Sequence, residues 1–187
     1  MKQIIDITKH SPQKGDTYFL DCNVLMYLFY TNGSYGRELI YNYTLIISKI
    51  ISADAQIYVT DVLLSEFVNT YIQTEFHRLA RLNGWPHDKK YFKYTFRQTQ
   101  EYIDLLLEIK YIITRQLLPI TKRLNGDFIN ISLDDMFDTP DTFDFNDRYY
   151  VKCMNKENSY IVTNDADFSA DGGCPIITNN RELLANM

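Results

Sequence analysis

Short runs of strand-forming residues, spaced too far apart for hairpin turns, constrain the fold of this chain most. Residues 17–21 (TYFLD), 56–60 (QIYVT), 159–163 (SYIVT) and 174–178 (CPIIT) are apolar or β-rich and bounded by turn-forming or polar residues. The stretches between them carry helical spacing instead. Residues 23–29 continue apolar from the first run until Asn32-Gly33-Ser34 breaks them. Residues 37–52 place Leu39, Ile40, Tyr43, Ile46, Ile47 and Ile50 three and four apart, the stripe of an amphipathic helix. Asp61 is placed to cap a helix faced by Leu63, Leu64, Phe67, Val68, Tyr71 and Ile72, which Asn83-Gly84 stops. A second long helix is expected over 88–118, with Leu105, Leu106, Ile109, Ile112 and Ile113 on one face and Pro119 at its end. Residues 124–143 read as irregular, with Ser132 capping a single turn. Residues 144–155 read as a helix, and 181–185 as a closing helical turn.

Parallel strands require long crossovers, whereas hairpins suffice for antiparallel ones. The order strand, helices, strand, helices, strand, strand therefore predicts an α/β chain: a three-layer α/β/α sandwich with a mostly parallel central sheet. The 187 residues fit a single domain over 1–187, with an extended helical hairpin over 75–125.

Acids gather where such a sheet binds its ligands, outside the carboxyl ends of the strands. Asp21 closes the first run, Asp61 follows the second with Glu66 just beyond it, and Asp165 lies two residues past the third. Asp144 and Asp147 are three apart on an expected helix and share a face. Carboxylates held close together repel, and one takes up a proton unless a cation is present. A hard divalent cation such as Mg2+ or Mn2+ resolves that conflict. The chemistry such a site performs well is phosphodiester cleavage by metal-activated water.

The rest of the sequence narrows the classes. It has no HExxH, GxSxG, Walker or GxGxxG motif, and His10, His77 and His87 lie outside the acidic segments. A histidine-based acid–base mechanism is disfavoured. Cys22, Cys153 and Cys174 form no CxxC pair, so neither a zinc site nor a disulfide framework is suggested. No apolar run approaches the roughly 20 residues that span a bilayer, and the N-terminus has no signal-peptide pattern. A cytoplasmic protein with no membrane partner is the expectation. The net charge of −5 argues against a protein that coats nucleic acid electrostatically. The charge is unevenly spread, however. Residues 75–125 hold ten Lys/Arg against five Asp/Glu, and the remainder nine against nineteen. That segment is either a polyanion-binding face or the solvated face of a helical hairpin.

Four segments resemble the PIN-domain family. Residues 18–25 (YFLDCNVL) look like its opening strand and D-x-N-V-L helix, and residues 60–67 (TDVLLSEF) like its strand and glutamate-bearing helix. Residues 144–147 (DFND) resemble its D-F-x-D motif and 161–168 (IVTNDADF) its T-x-D-x-D-F motif. The closing Ile176-Ile177-Thr178 and Glu182-Leu183-Leu184 also fit, so the likeness spans about residues 17–184, with the acidic motifs in family order. Glu66 and Asp147 stand 81 positions apart, longer than in compact members, and the basic segment 75–125 accounts for the excess.

The resemblance implies a PIN-like fold and a metal-dependent endoribonuclease, with RNA as substrate. Many bacterial members of this size are VapC-type toxins restrained by a small antitoxin, and homodimers are common. Asp21, Glu66, Asp147 and Asp165 are the implied catalytic and metal-holding residues, with Asp144 and Asp167 as further candidates. Asn23, Thr163 and Asn164 are candidate supports, each with a plain alternative as a cap or loop residue. Lys89, Lys90, Lys93 and Arg97, interleaved with Tyr91, Phe92 and Tyr94, are candidates for gripping RNA, or simply the start of an amphipathic helix. Two other readings compete: a haloacid-dehalogenase-type phosphatase, which needs an acid where Asn23 stands, and a non-catalytic PIN-fold binding module.

Overall fold

The computed structural model describes residues 3–125, 128–137, 145–154, 157–169 and 174–185. Six strands in these residues form one sheet: β1 (Ile4–Asp6), β2 (Thr17–Leu20), β3 (Gln56–Val59), β4 (Lys122–Arg123), β5 (Ser159–Val162) and β6 (Ile176–Thr178). Their order is β1-β6-β5-β2-β3-β4, and every neighbouring pair is parallel. At the centre, β2 aligns Tyr18 with Tyr160 and Ile57, and Phe19 with Ile161 and Tyr58. Tyr18, Phe19 and Leu20 are all fully buried, as expected of a strand covered on both faces.

From β2 the chain moves outward to β3 and β4 on one side, then returns to lay β5 and β6 on the other. Adjacent β2 and β5 are thus the point where the winding reverses, and their carboxyl ends open a crevice. Right-handed crossovers running in opposite directions cover opposite faces, so the topology is compatible with a three-layer sandwich.

Helices α1 (Cys22–Phe29) and α2 (Arg37–Ser52) join β2 to β3, and α3 (Asp61–Asn83) follows β3. The cap of α3 is Thr60, whose Oγ1 accepts the Leu63 amide at 3.1 Å, and not Asp61 as expected. Asp61 is instead the first helical residue, where its charge faces the positive end of the dipole. The helix ends at Gly84, which takes a left-handed φ of 66°.

The single helix expected over 88–118 is broken. It comprises α4 (Lys89–Tyr94), a 3-10 turn (Phe96–Gln98), α5 (Gln100–Tyr111), a π-helical segment (Ile112–Leu117) and a further 3-10 turn (Leu118–Ile120) that contains Pro119. Two caps explain the division. Asp88 Oδ1 accepts the Tyr91 amide at 2.7 Å, and Thr99 Oγ1 accepts the Tyr102 amide at 3.3 Å, so Thr99 starts a new helix within the stretch. Phe96, between them, is fully buried among Phe76, Phe92, Trp85 and Tyr102. Leu105, Ile109 and Ile112 face inward as expected, but Leu106 is exposed beside Ile103, Leu107 and Tyr111.

Strands β1 and β4 escaped the sequence reading. They are three and two residues long, and Lys122-Arg123 has no apolar character to mark it. After β4 come a 3-10 turn (Phe128–Asn130), α6 (Leu133–Phe137), directly after Ser132, and α7 (Phe145–Met154). Asp144 and residues 138–143 lie outside the described residues. Tyr150 of α7 packs its ring 4.6 Å from Phe19 and is fully buried, joining α7 to the central strand. A 3-10 turn (Ala166–Ser169) and α8 (Arg181–Ala185) complete the fold. One continuous buried cluster runs through sheet and helices and includes Phe76, Phe92, Phe96, Leu105 and Ile109 of the 75–125 segment. Among the described residues, no helix is long and apolar enough to cross a membrane.

Candidate functional site

The reversal point brings the end of β2 beside the end of β5, and the side chains there form one hydrogen-bonded lattice. Asp21, 5% exposed, leaves β2 in extended conformation and caps α1, its Oδ1 accepting the Cys22 amide at 2.6 Å. Its Oδ2 accepts Asn23 Nδ2 at 2.6 Å and the Thr163 hydroxyl at 2.6 Å. Thr163, fully buried just past β5, also takes the Asp165 amide on its Oγ1 at 2.9 Å. Asn23 Oδ1 accepts the Asn164 amide at 3.3 Å. Thus Asn23 and Thr163 each link Asp21 to the loop that carries Asp165. That loop is held from behind. The Tyr43 hydroxyl donates to the Thr163 carbonyl at 2.8 Å, and Asn180 Nδ2 donates to the Asn164 carbonyl at 2.7 Å.

Asp21, Glu66, Asp147, Asp165 and Asp167 line a single cleft of about 370 Å³, together with Asn23, Thr70, Tyr27 and Tyr35. Glu66 comes from the second turn of α3 and Asp147 from the first turn of α7. Glu66 Oε2 accepts the Tyr150 hydroxyl at 2.5 Å and Asn146 Nδ2 at 3.4 Å. Asp165 Oδ1 accepts the Asp167 amide at 3.0 Å. Among the described residues, neither lysine nor arginine lines the cleft. Asp61 does not join it, and lines a neighbouring hollow with Glu66 and Asn146.

The electrostatics follow from this crowding. Burial pushes the Asp21 carboxyl up to about 7, and the negative charges of Glu66 and Asp165 push the same way. The hydrogen bonds from Thr163 and Cys22 oppose the rise without cancelling it. Burial, reinforced by Glu66, likewise pushes the Cys22 thiol up to about 12, so it stays protonated and is no nucleophile at neutral pH. Asp21, Glu66, Asp147 and Asp165, with Asp167 close by, are the groups that could hold a divalent cation. All are oxygen donors, the chemistry Mg2+ and Mn2+ prefer. Among the described residues, no three His, Cys, Asp or Glu side chains already stand as a closed ligand set.

The chain matches no known family model, curated protein or solved structure.

The basic candidates lie elsewhere. Lys89, Lys93 and Arg97 line a separate cavity, and Lys90 is exposed outside its lining. The tyrosines of the site were missed: Tyr27 and Tyr35 line the cleft, and Tyr43 and Tyr150 bond to the groups around it. Tyr150 and Tyr43 are aromatic residues at buried helical positions, and spacing alone does not distinguish a ring that only packs from one whose hydroxyl anchors a polar lattice.

Proposed function

We propose that this chain is a PIN-like, metal-dependent endoribonuclease. The supporting observation is the convergence of five carboxylates, from β2, α3, α7 and the loop after β5, on one cleft at the reversal point of a parallel sheet. Nothing in helix or strand formation calls for this convergence; burial raises the Asp21 carboxyl, and the charges of Glu66 and Asp165 add to the rise.

In this reading Asp21, Glu66, Asp147 and Asp165 hold Mg2+ or Mn2+, and Asp167 contributes through water. Bound there, the metal lowers the pKa of a water and stabilises the oxygens that enter and leave the phosphate. The chain's own residues supply the preorganisation. Asn23 and Thr163 fix one oxygen of Asp21 and the Cys22 amide fixes the other. Tyr150 fixes Glu66. Such supporting contacts set ligand orientation and tune affinity. The backbone amides of Asn164 and Asp165 are committed to Asn23 and Thr163, so those residues position the loop.

Calorimetric titration of Mn2+ into the wild type and Glu66→Gln tests the reading, followed by incubation with single-stranded RNA. Binding that weakens sharply in the variant, with cleavage by the wild type alone, supports it. A folded wild type that binds no Mn2+ and cuts no RNA transfers the weight to a non-catalytic binding module.

A further inference from the structure

A second cavity, of about 470 Å³, lies within the helical segment that lengthens the chain between Glu66 and Asp147. Phe76 of α3 and Phe92 of α4 are both buried, their rings 5.0 Å apart, and supply apolar lining. Arg97 carries its guanidinium 4.9 Å from the centre of the Phe92 ring. Lys89 and Lys93 are exposed and line the same cavity. Among the described residues, none of these three cations takes part in an ion pair. The carboxylate of Asp88, also in the lining, is engaged with the Tyr91 amide. Residues 89–100 contain four cations and no acid.

Helix α3 connects this cavity to the acid cleft. Glu66 and Thr70 line the cleft, whereas Gln73 and His77 line the cavity. These positions are i, i+4, i+7 and i+11, one face of the helix. Eleven residues at a rise of 1.5 Å span about 16 Å. A strand laid along that face covers about five nucleotides if stacked at roughly 3.4 Å each, and fewer if extended.

We propose that this cavity holds one nucleotide of a single-stranded RNA whose scissile phosphate lies at the acid cleft. The inference rests on the nuclease reading. A base fits the apolar wall and stacks on the plane of Arg97, while Lys89 and Lys93 take the flanking phosphates. Positive charge stands away from the scissile position, where the cleft itself is acidic. Only an RNA long enough to reach both places gains from the cavity. Stacking and phosphate contacts tolerate any sequence, so the cavity adds affinity more than base specificity.

The test uses the whole chain, Mn2+, and two labelled single-stranded RNAs, one of about twelve nucleotides and one a dinucleotide, which cannot span both places even when extended. In the variant Lys89→Gln/Lys93→Gln/Arg97→Gln, affinity for the longer RNA should fall about tenfold or more, and the slope of log affinity against log salt should shrink by about two to three. Handling of the short RNA and the Mn2+ titration should not change. The double variant Lys89→Gln/Lys93→Gln, at two exposed positions, keeps the test valid if loss of Arg97 loosens Phe92. Wild-type affinity and salt slope in both variants would overturn the proposal, and would leave the nuclease reading intact if the wild type still cuts. RNA binding that falls in the variants, from a wild type that binds no Mn2+, would support the strand site and sink the nuclease reading. A wild type that binds neither RNA would overturn both.

Discussion

Tyr150 donates its hydroxyl proton to Glu66 Oε2 at 2.5 Å, tying α7 to α3 directly beside the acid cleft. Burial and the neighbouring Glu66 charge push the Tyr150 phenol up, so it remains a donor throughout the physiological range. Tyr150→Phe keeps the ring on Phe19 and deletes only this bond. Urea denaturation should show a loss of about 1–2 kcal/mol. Mn2+ affinity should fall by about tenfold or more, the range typical of a lost ligand-supporting bond. Unchanged Mn2+ binding would mean that Glu66 is not a ligand, or that Tyr150 does not position it.

Asp21→Asn should abolish metal-dependent RNA cleavage while the protein stays folded, as judged by circular dichroism. Retained cleavage by the folded variant would sink the assignment of Asp21.

The metal-free protein should also be less stable at pH 8 than at pH 5. The Asp21 carboxyl is raised from its ordinary 3.8 to about 7, so its neutral form favours folding at low pH. That contribution is complete below the unfolded value and is lost as pH rises through about 7. Thermal melts in EDTA across this range should slope downward in the wild type and more weakly in Asp21→Asn. Whichever way the asparagine amide turns, its nitrogen meets a donor now bonded to Asp21, so the informative quantity is the slope. Adding Mn2+ should restore stability at pH 8 in the wild type alone.

Glu75 titrates in the opposite sense. It is buried on α3 and accepts the Tyr30 hydroxyl at 2.8 Å and Arg78 Nε at 2.8 Å. Burial opposes its charge, but the bonds from Arg78 and Tyr30 outweigh burial and hold its carboxyl below the ordinary range. Its contribution is present above the unfolded value and is lost as pH falls through the depressed one. Glu75→Ala should cost about 1–3 kcal/mol at pH 7, since Arg78 keeps access to water and is not stranded. The deficit should shrink in acid, and urea denaturation at pH 7 and pH 3 would check both points.

Gly84→Ala should cost about 1 kcal/mol, because the residue keeps a left-handed φ of 66°. A methyl there meets nothing within 4 Å, so the penalty is conformational. Gly84→Asn should cost less, and denaturation of both variants would show the order.

Much of the architecture was legible because local pattern carried it. Residues 37–52 declared a helix by apolar spacing, and Asn83-Gly84 declared its neighbour's end through a backbone conformation glycine favours. The errors share a cause. The break at Thr99 depends on a cap competing with helix continuation, and β1 and β4 are too short to carry a period and exist only by pairing with a neighbour. The acids show the same division. Their identity and order lay in the sequence, as did the strand ends that bear Asp21 and Asp165. Asp21 and Thr163 lie 142 positions apart, however, and spacing within one element says nothing of a bond across the sheet. Sheet order joined them, and the packing of α3 against α7 brought Glu66 to Tyr150. By itself the sequence determined the four strands and the helices that local pattern marks, and which residues have the chemistry for a cation. Tertiary structure alone decided which of them meet, because strand order and helix packing are properties of the whole buried core.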